Sequence, residues 1–249
     1  MVIASLDQLS NFKRVQIGVL YGVSVGTGDP ELITVKGLRI LQQSNVIAFP
    51  SGINHRSGIA QNIISGWLKP EQLLLPLDFP YLQDPEKLQQ AWQQAAIQVW
   101  QYLKQGINVS FACLGDVSLY STFTYLAQTL QELFPDAKVE TIPGVSSTVA
   151  IASALKIPLT VNQQKLAVLP ALYSVQELET ALNWAEIVVL LKVSSVYQQV
   201  WQILQKRHLL NSSWIVERAT FPEQKIYQDL INYPSLELSY FSILLINND

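Results

Sequence analysis

Gly22-Val23-Ser24-Val25-Gly26-Thr27-Gly28-Asp29-Pro30-Glu31-Leu32 is the stretch that decides how the chain is read. The apolar run 15–25 leads into it and reads as a strand. Residues 31–43 follow as a helix, with Asp29 as N-cap and Pro30 at the first helical position. A glycine-rich turn between strand and helix brings backbone close to a ligand and aims helix N–H groups at it. The spacing is not that of a dinucleotide fingerprint. Gly22, Gly26 and Gly28 do not give Gly-x-Gly-x-x-Gly, and Asp29 stands where a pyrophosphate would lie. The second strand, 45–49, ends in Pro50 and not in an acidic residue. A nicotinamide cofactor is disfavoured, and a tight turn capped by Asp29 explains the stretch equally well.

Outward from this turn, strands and helices alternate. Helices are expected over 57–68, over 85–105 and from about 121 to 134, and strands over 45–49, 108–114 and 138–142. The long helix carries Leu88, Trp92, Ala96, Val99 and Leu103 on one stripe, and Gly106 ends it. Repeated β-α units imply a mostly parallel, Rossmann-like sheet. After Pro158 the pattern changes. Strands over 165–169 and 187–193 alternate with helices over 175–184 and 197–207, and three strand-like runs then follow without a helix, over 213–219, 224–230 and 240–246. This half reads as a mixed sheet with an antiparallel end. The chain is therefore expected to be α/β with two domains, residues 1–138 and 139–249.

Composition narrows the function. Of 249 residues, 49% are hydrophobic and 14% charged, which excludes a disordered chain. The net charge of −3 argues against a broad nucleic-acid surface. One cysteine, Cys113, excludes a disulfide framework and a CxxC pair, and two distant histidines, His55 and His208, argue against a metal site. The 25 glutamines, as at Gln89-Gln90 and Gln93-Gln94, read as solvated helix faces. Mean hydropathy is +0.20, yet apolar runs such as 187–191 and 243–246 stop far short of the roughly 20 residues a spanning helix needs. Lys13-Arg14 precede an apolar stretch that runs into the glycine turn and not into a small-residue cleavage site. No membrane partner and a cytoplasmic location are expected.

Two further segments lie between a strand and a helix. In Leu114-Gly115-Asp116-Val117-Ser118-Leu119-Tyr120-Ser121-Thr122, Gly115 allows close approach and Asp116 accepts from a ligand N–H or caps the turn. Ser121 and Thr122 donate to a carboxylate or cap the next helix. In Ile142-Pro143-Gly144-Val145-Ser146-Ser147, either serine is a competent N-cap. Without a Gly-x-Ser-x-Gly elbow or a partnered histidine, a serine hydrolase is disfavoured.

Taken in order, Gly-Thr-Gly-Asp-Pro-Glu-Leu-Ile-Thr, Leu-Gly-Asp-Val-Ser-Leu-Tyr-Ser-Thr, Pro-Gly-Val-Ser-Ser, Glu217-Arg218-Ala219-Thr220 and Tyr240-Phe241-Ser242 resemble the tetrapyrrole (corrin/porphyrin) methylase family from about residue 18 to 246. Tyr120-Ser121-Thr122, Leu191-Lys192-Val193, Val216-Glu217-Arg218-Ala219 and Tyr240-Phe241-Ser242 favour the members that methylate C-20 of precorrin-2 or its cobalt form. The resemblance implies S-adenosylmethionine bound in a cleft between two α/β domains, S-adenosylhomocysteine as product, and a homodimer. It implies cofactor binding by backbone of Leu114, Gly115 and Asp116, with Leu119, Ser121, Thr122, Lys192 and Ala219 completing the pocket. Thr27 and Gly28 would face the tetrapyrrole. Thr27 stands where the family usually has proline, whereas Gly26, Gly28 and Asp29 keep the pattern.

Methyl transfer to an enamine-like bridge carbon needs alignment more than a strong base or a metal. Asp29 and Glu217 are the candidate bases, with helix capping and pairing to Arg218 as their alternative roles. A substrate rich in carboxylates needs a local basic rim, for which Lys36, Arg56, Lys192 and Arg218 are candidates. Tyr120 and Tyr240 pack on the macrocycle or in the core, Ser146 lies on the substrate side, and Cys113 is a buried, inert strand residue. Other readings are a tetrapyrrole methylase acting on a different ring carbon, a methylase of a ribosomal or translation-factor substrate, a non-catalytic tetrapyrrole- or nucleoside-binding relative, and the nicotinamide enzyme.

Overall fold

In the first half of the computed structural model the three central strands, over 19–24, 46–50 and 109–113, are buried on both faces, which is why the sequence there shows apolar runs in place of alternation, whereas the two edge strands are largely exposed. The structure describes residues 16–52, 58–79, 84–170 and 175–249. Lys13, Arg14, His55, Arg56 and the expected start of the second helix at Ser57 lie outside the described residues. Strands β1 (Val19–Ser24), β2 (Val46–Pro50), β3 (Leu73–Leu77), β4 (Val109–Cys113) and β5 (Lys138–Ile142) form a parallel sheet in the order β3-β2-β4-β1-β5. Leu41 of α1 (Val35–Gln43) and Ile63 and Ile64 of α2 (Ile59–Ile64) pack with Val23, Ile47 and Ala112. Ala96 and Val99 of α3 (Pro85–Leu103) and Phe123 and Leu126 of α4 (Thr122–Leu133) pack with Leu20, Ala48 and Phe111. The two groups use alternate residues of the same strands, so they cover opposite faces of the sheet.

The second sheet has the order β6-β7-β10-β8-β9, from β6 (Leu166–Leu169), β7 (Ile187–Leu191), β8 (Ser213–Glu217), β9 (Lys225–Gln228) and β10 (Ser242–Asn247). β6 and β7 are parallel and the other pairs antiparallel, as expected of a mixed sheet. Ala150 and Ile151 of α5 (Ser147–Leu155) pack with Val189, Val216 and Leu245. Leu178 of α6 (Val175–Ala181) and Val200 and Leu204 of α7 (Tyr197–Lys206) pack with Val188, Ile215 and Leu244. No described helix is long and apolar enough to cross a membrane.

Four local expectations are corrected. Asp29 caps only a 3-10 turn, Pro30–Leu32; Ile33 is extended, and Thr34, accepting from the Gly37 N–H at 3.1 Å, opens α1. Strand β3, over Leu-Leu-Leu-Pro-Leu, has no counterpart among the expected strands; it carries a proline at the sheet edge, where a missing N–H is tolerated. The division at 138 meets the first residue of β5, which pairs with β1, so the first sheet extends to Ile142. Strands β7 and β10 are shorter than expected: Lys192 turns left-handed after β7, and Tyr240-Phe241 form a turn before β10.

Gly22, in the centre of β1, lies against the face of Phe123 at the start of α4. A Cβ built there would fall 2.5 Å from the ring. Gly22→Ala is expected to displace α4 and to cost about 1–3 kcal/mol by overpacking, read as a lower urea midpoint at unchanged m-value.

Candidate active site

Strands β4 and β1 are neighbours, yet β1 leads to β2 on one side and β4 leads to β5 on the other. Their connections run in opposite directions along the sheet, which makes the carboxyl ends of these strands the switch point at which an open parallel sheet offers a ligand crevice. All three strand-to-helix motifs gather there. Gly26 and Gly115 form an isolated bridge, with the Gly115 N–H donating to the Gly26 carbonyl at 2.7 Å. Asp116 Oδ2 accepts from the Gly144 N–H at 2.7 Å, and its Oδ1 accepts from the Ser118 N–H at 2.8 Å and from the Ser118 hydroxyl. Fully buried Ser24 donates to the Ile142 carbonyl at 2.8 Å and accepts from the Val117 N–H at 2.9 Å. Burial alone would raise the Asp116 carboxyl, but the donors of Ser118 and Gly144 outweigh it and hold it below its ordinary value.

The second sheet faces this crevice with the ends of β6, β7 and β8, which share one direction. Hydrogen bonds tie the halves together, two of them between side chains and the facing half. The Tyr120 hydroxyl donates to the Val168 carbonyl at 3.1 Å, and the Thr27 and Thr220 hydroxyls lie 2.9 Å apart. Lys192 Nζ stands 5.2 Å from the Tyr240 ring centroid, and the Arg218 guanidinium 6.0 Å from that of Phe241. The Arg218 N–H also donates to the Phe241 carbonyl at 2.9 Å. Residues 240–241 thus bring two of the expected rim cations to one edge. Among the described residues neither cation forms an ion pair. Lys36 is exposed in the first turn of α1, and Arg56 lies outside the described residues.

Left-handed backbone marks the same rim. Tyr120, Lys192, Arg218 and Thr220 have φ of 51°, 57°, 48° and 70°, and Gly26 and Gly115 both have 74°. Such conformations are costly for residues with a Cβ and concentrate where a chain must present itself to a ligand. At Gly115 a Cβ would meet no heavy atom within 4 Å, so open space lies against its backbone.

The individual side chains divide. Tyr120 and Tyr240 are 58% and 45% exposed, so neither is a core residue. Leu119 is half-buried beside the loop, its N–H donating to the Asp116 carbonyl at 3.3 Å. Ser121 is the N-cap of α4: its buried hydroxyl accepts from the Phe123 N–H at 3.0 Å and meets Cys113 Sγ at 2.9 Å, which leaves Thr122 more open than Ser121. Burial pushes the Cys113 thiol up to about 11, which fits the inert strand residue expected. Ser146 occupies the N-cap position of α5 without capping it; its hydroxyl pairs with Thr148 at 2.7 Å. Ala219 is buried in the turn after β8. Asp29 accepts from the Glu31 N–H at 2.8 Å with one oxygen and is half-buried.

The sequence model of the family described as Tetrapyrrole (Corrin/Porphyrin) Methylases matches residues 19–232. The chain belongs to this family. It is 31% identical over 232 residues to a protein of Salmonella typhimurium named cobalt-precorrin-2 C(20)-methyltransferase, covering 92% of this chain and 96% of that one. It is equally identical, at 31% over 240 residues, to a Sinorhizobium protein named precorrin-2 C(20)-methyltransferase, covering 93% and 96%. Among solved structures, cobalt precorrin-4 methyltransferase superposes with a TM-score of 0.69 at 22% identity, covering 92% of this chain and 95% of that one. Uroporphyrin-III C-methyltransferase from Thermus thermophilus, complexed with S-adenosylhomocysteine, superposes at 0.62 with 18% identity, covering 92% and 97%. Two α/β domains, one with a parallel and one with a mixed sheet, are therefore the fold of this chain and of these structures.

Glu217 is built as an anchor, against its expected role as a base. It is 6% exposed, and it accepts from the Ser239 N–H at 2.7 Å, the Tyr227 hydroxyl at 2.9 Å and the Ser242 hydroxyl at 3.3 Å. Burial would raise its carboxyl, but these donors prevail and lower it, so it is a weaker base than an ordinary glutamate. Its expected alternative role, pairing with Arg218, is also not seen among the described residues. Ser24 and Thr220 carry no role in the sequence reading. A serine inside an apolar strand is the available signal for Ser24; Thr220 enters only as the last residue of the Glu217-Arg218-Ala219-Thr220 motif, with no contact assigned to it. Because the folded Glu217 value is depressed, its stabilisation is complete above the unfolded carboxylate value and fades as pH falls through the folded one. Glu217→Gln is expected to lose about 1–3 kcal/mol near neutral pH. The gap from wild type should shrink on acidification, as read by urea titration at a series of pH values.

Proposed function

We propose that the chain is an S-adenosylmethionine-dependent C-methyltransferase acting on the C-20 meso carbon of precorrin-2, or of its cobalt complex, in cobalamin biosynthesis. The observation that carries this reading is the match at 31% identity, over more than nine-tenths of the chain, to relatives in Salmonella, Methanocaldococcus and Sinorhizobium named for that one ring position. Proteins named for C(11) of precorrin-4 match at 25% and 24%, over 83% and 85% of the chain. That gradient favours C-20 over another ring carbon. The reading includes a cytoplasmic homodimer with a small-molecule tetrapyrrole substrate and neither nucleic acid nor membrane as partner.

The loop 114–119 fits the cofactor, because a left-handed glycine with open space at its Cα suits a ligand laid along the backbone. S-adenosylmethionine, when bound, supplies an electrophilic methyl group on a sulfonium. Backbone of Leu114, Gly115 and Asp116 would hold it, with Leu119, Thr122, Lys192 and Ala219 around it and Ser121 fixing the loop. Gly28, Ser146, Tyr120 and Tyr240 would border the macrocycle, with Thr27, 7% exposed, holding the loop behind Gly28. Lys192 and Arg218 would receive its carboxylates, a local positive edge on a chain of net charge −3. Asp29 is the carboxylate suited to accept the proton that C-20 loses once methylated, since Glu217 is fully engaged. Orientation supplies most of what such a nucleophilic carbon requires.

The deciding experiment offers metal-free precorrin-2 and its cobalt form separately, without oxygen, with S-adenosylmethionine. One added methyl by mass spectrometry, located at C-20 by NMR, is expected. Methylation at another carbon, or cofactor-product binding with no turnover on either form, would replace this reading with a different methylase or a silent binder. Gly115→Val, which fills the open space from a strained backbone, should weaken S-adenosylhomocysteine binding by about tenfold or more in calorimetry.

A further inference from the structure

The glycine loop of the first sheet and the turn after β8 touch at three successive positions. The Thr27 and Thr220 hydroxyls pair at 2.9 Å, and the Asp29 N–H donates to the Thr220 hydroxyl at 3.1 Å. Between them, a Cβ at Gly28 would fall 2.5 Å from the Phe221 ring, so the ring rests on bare backbone. Thr27 is 7% exposed, so its hydroxyl is turned away from water. Thr220 is β-branched at φ 70°, a conformation that needs hydrogen-bonded support. That support is visible. Its N–H donates to Gln224 Oε1 at 2.8 Å, and the turn is closed by the Phe221 N–H on the Arg218 carbonyl at 3.0 Å.

We propose that the Thr27–Thr220 hydroxyl pair is a latch that sets the spacing of the two sheets and so places Arg218 and Ala219 opposite Gly28 and Asp29. Both threonines are positioning residues. The consequence for turnover rests on the function proposed above, whereas the latch itself does not. A hydroxyl pair joining residues 193 apart in sequence, one of them buried, fixes a distance that neither loop sets alone.

Thr27→Val keeps the shape and removes the hydroxyl. It is expected to lower kcat roughly tenfold with little change in KM, because alignment is lost and not contact. Thr27→Ser should recover most of the loss. With Thr220→Val as the second change, the double variant should be no slower than Thr220→Val alone, since both remove one interaction. Amide hydrogen exchange at Asp29, measured without substrate, should accelerate in Thr27→Val, which leaves the Thr220 acceptor of that N–H in place. A wild-type kcat in Thr27→Val, a rise confined to KM, or unchanged Asp29 exchange in Thr27→Val each overturns the latch. If wild type methylates neither tetrapyrrole, the proposed function fails, and Asp29 exchange still decides the latch.

Discussion

The carboxylate of Asp116 is the point from which the cleft is built. It sits just past the end of β4 and gathers the Gly144 N–H from the loop after β5 together with two donors of Ser118. Ser24, at the end of β1, completes the bracket through Ile142 and Val117. Hydrogen bonds to a charged acceptor are about twice as strong as neutral ones. Three loops that would otherwise move independently are therefore tied at the place where the sheet topology opens a crevice. The Gly26–Gly115 bridge and the open backbone of Gly115 follow from that tie.

The second sheet repeats the device with a different carboxylate. Glu217 holds Tyr227 of β9, Ser239 of the following loop and Ser242 of β10, so the turn after β8 leaves from a fixed base. That turn carries Arg218 and Thr220 in backbone conformations that an isolated peptide would avoid. Two acidic residues thus serve architecture, while the chain's positive edge is assembled from Lys192 and Arg218 over aromatic rings. A net charge of −3 does not describe the field inside the cleft.

Most elements were legible because their signals are local. The stripe ending in Ala96, Val99 and Leu103 is buried as its period requires, and Gly106, at φ 81°, follows the helix. Cys113 is buried in β4 as its apolar neighbours suggest. The misses have identifiable causes. Pro76 argues against a strand by propensity, and only the edge position of β3 makes it harmless. Asp29-Pro30-Glu31 is a good helix start, but the extended Ile33 breaks the run and Thr34 caps a second beginning. Glu217 next to Arg218 suggests a base or an ion pair. Its true partners lie 10, 22 and 25 residues further on, beyond any local pattern.

The sequence by itself determined the alternation of strands and helices, the change from a parallel to a mixed sheet, and the ordered glycine and serine motifs by which the family is identified. These depend on side-chain period, turn chemistry and capping, which act between near neighbours. Tertiary structure alone decided that Glu217 is an anchor, that Tyr120 reaches Val168, and that Thr27 meets Thr220 across 193 residues. Which buried polar groups pair is set by where the sheets bring strand ends together, and the penalty for leaving such a group unpaired is then what enforces the pairing.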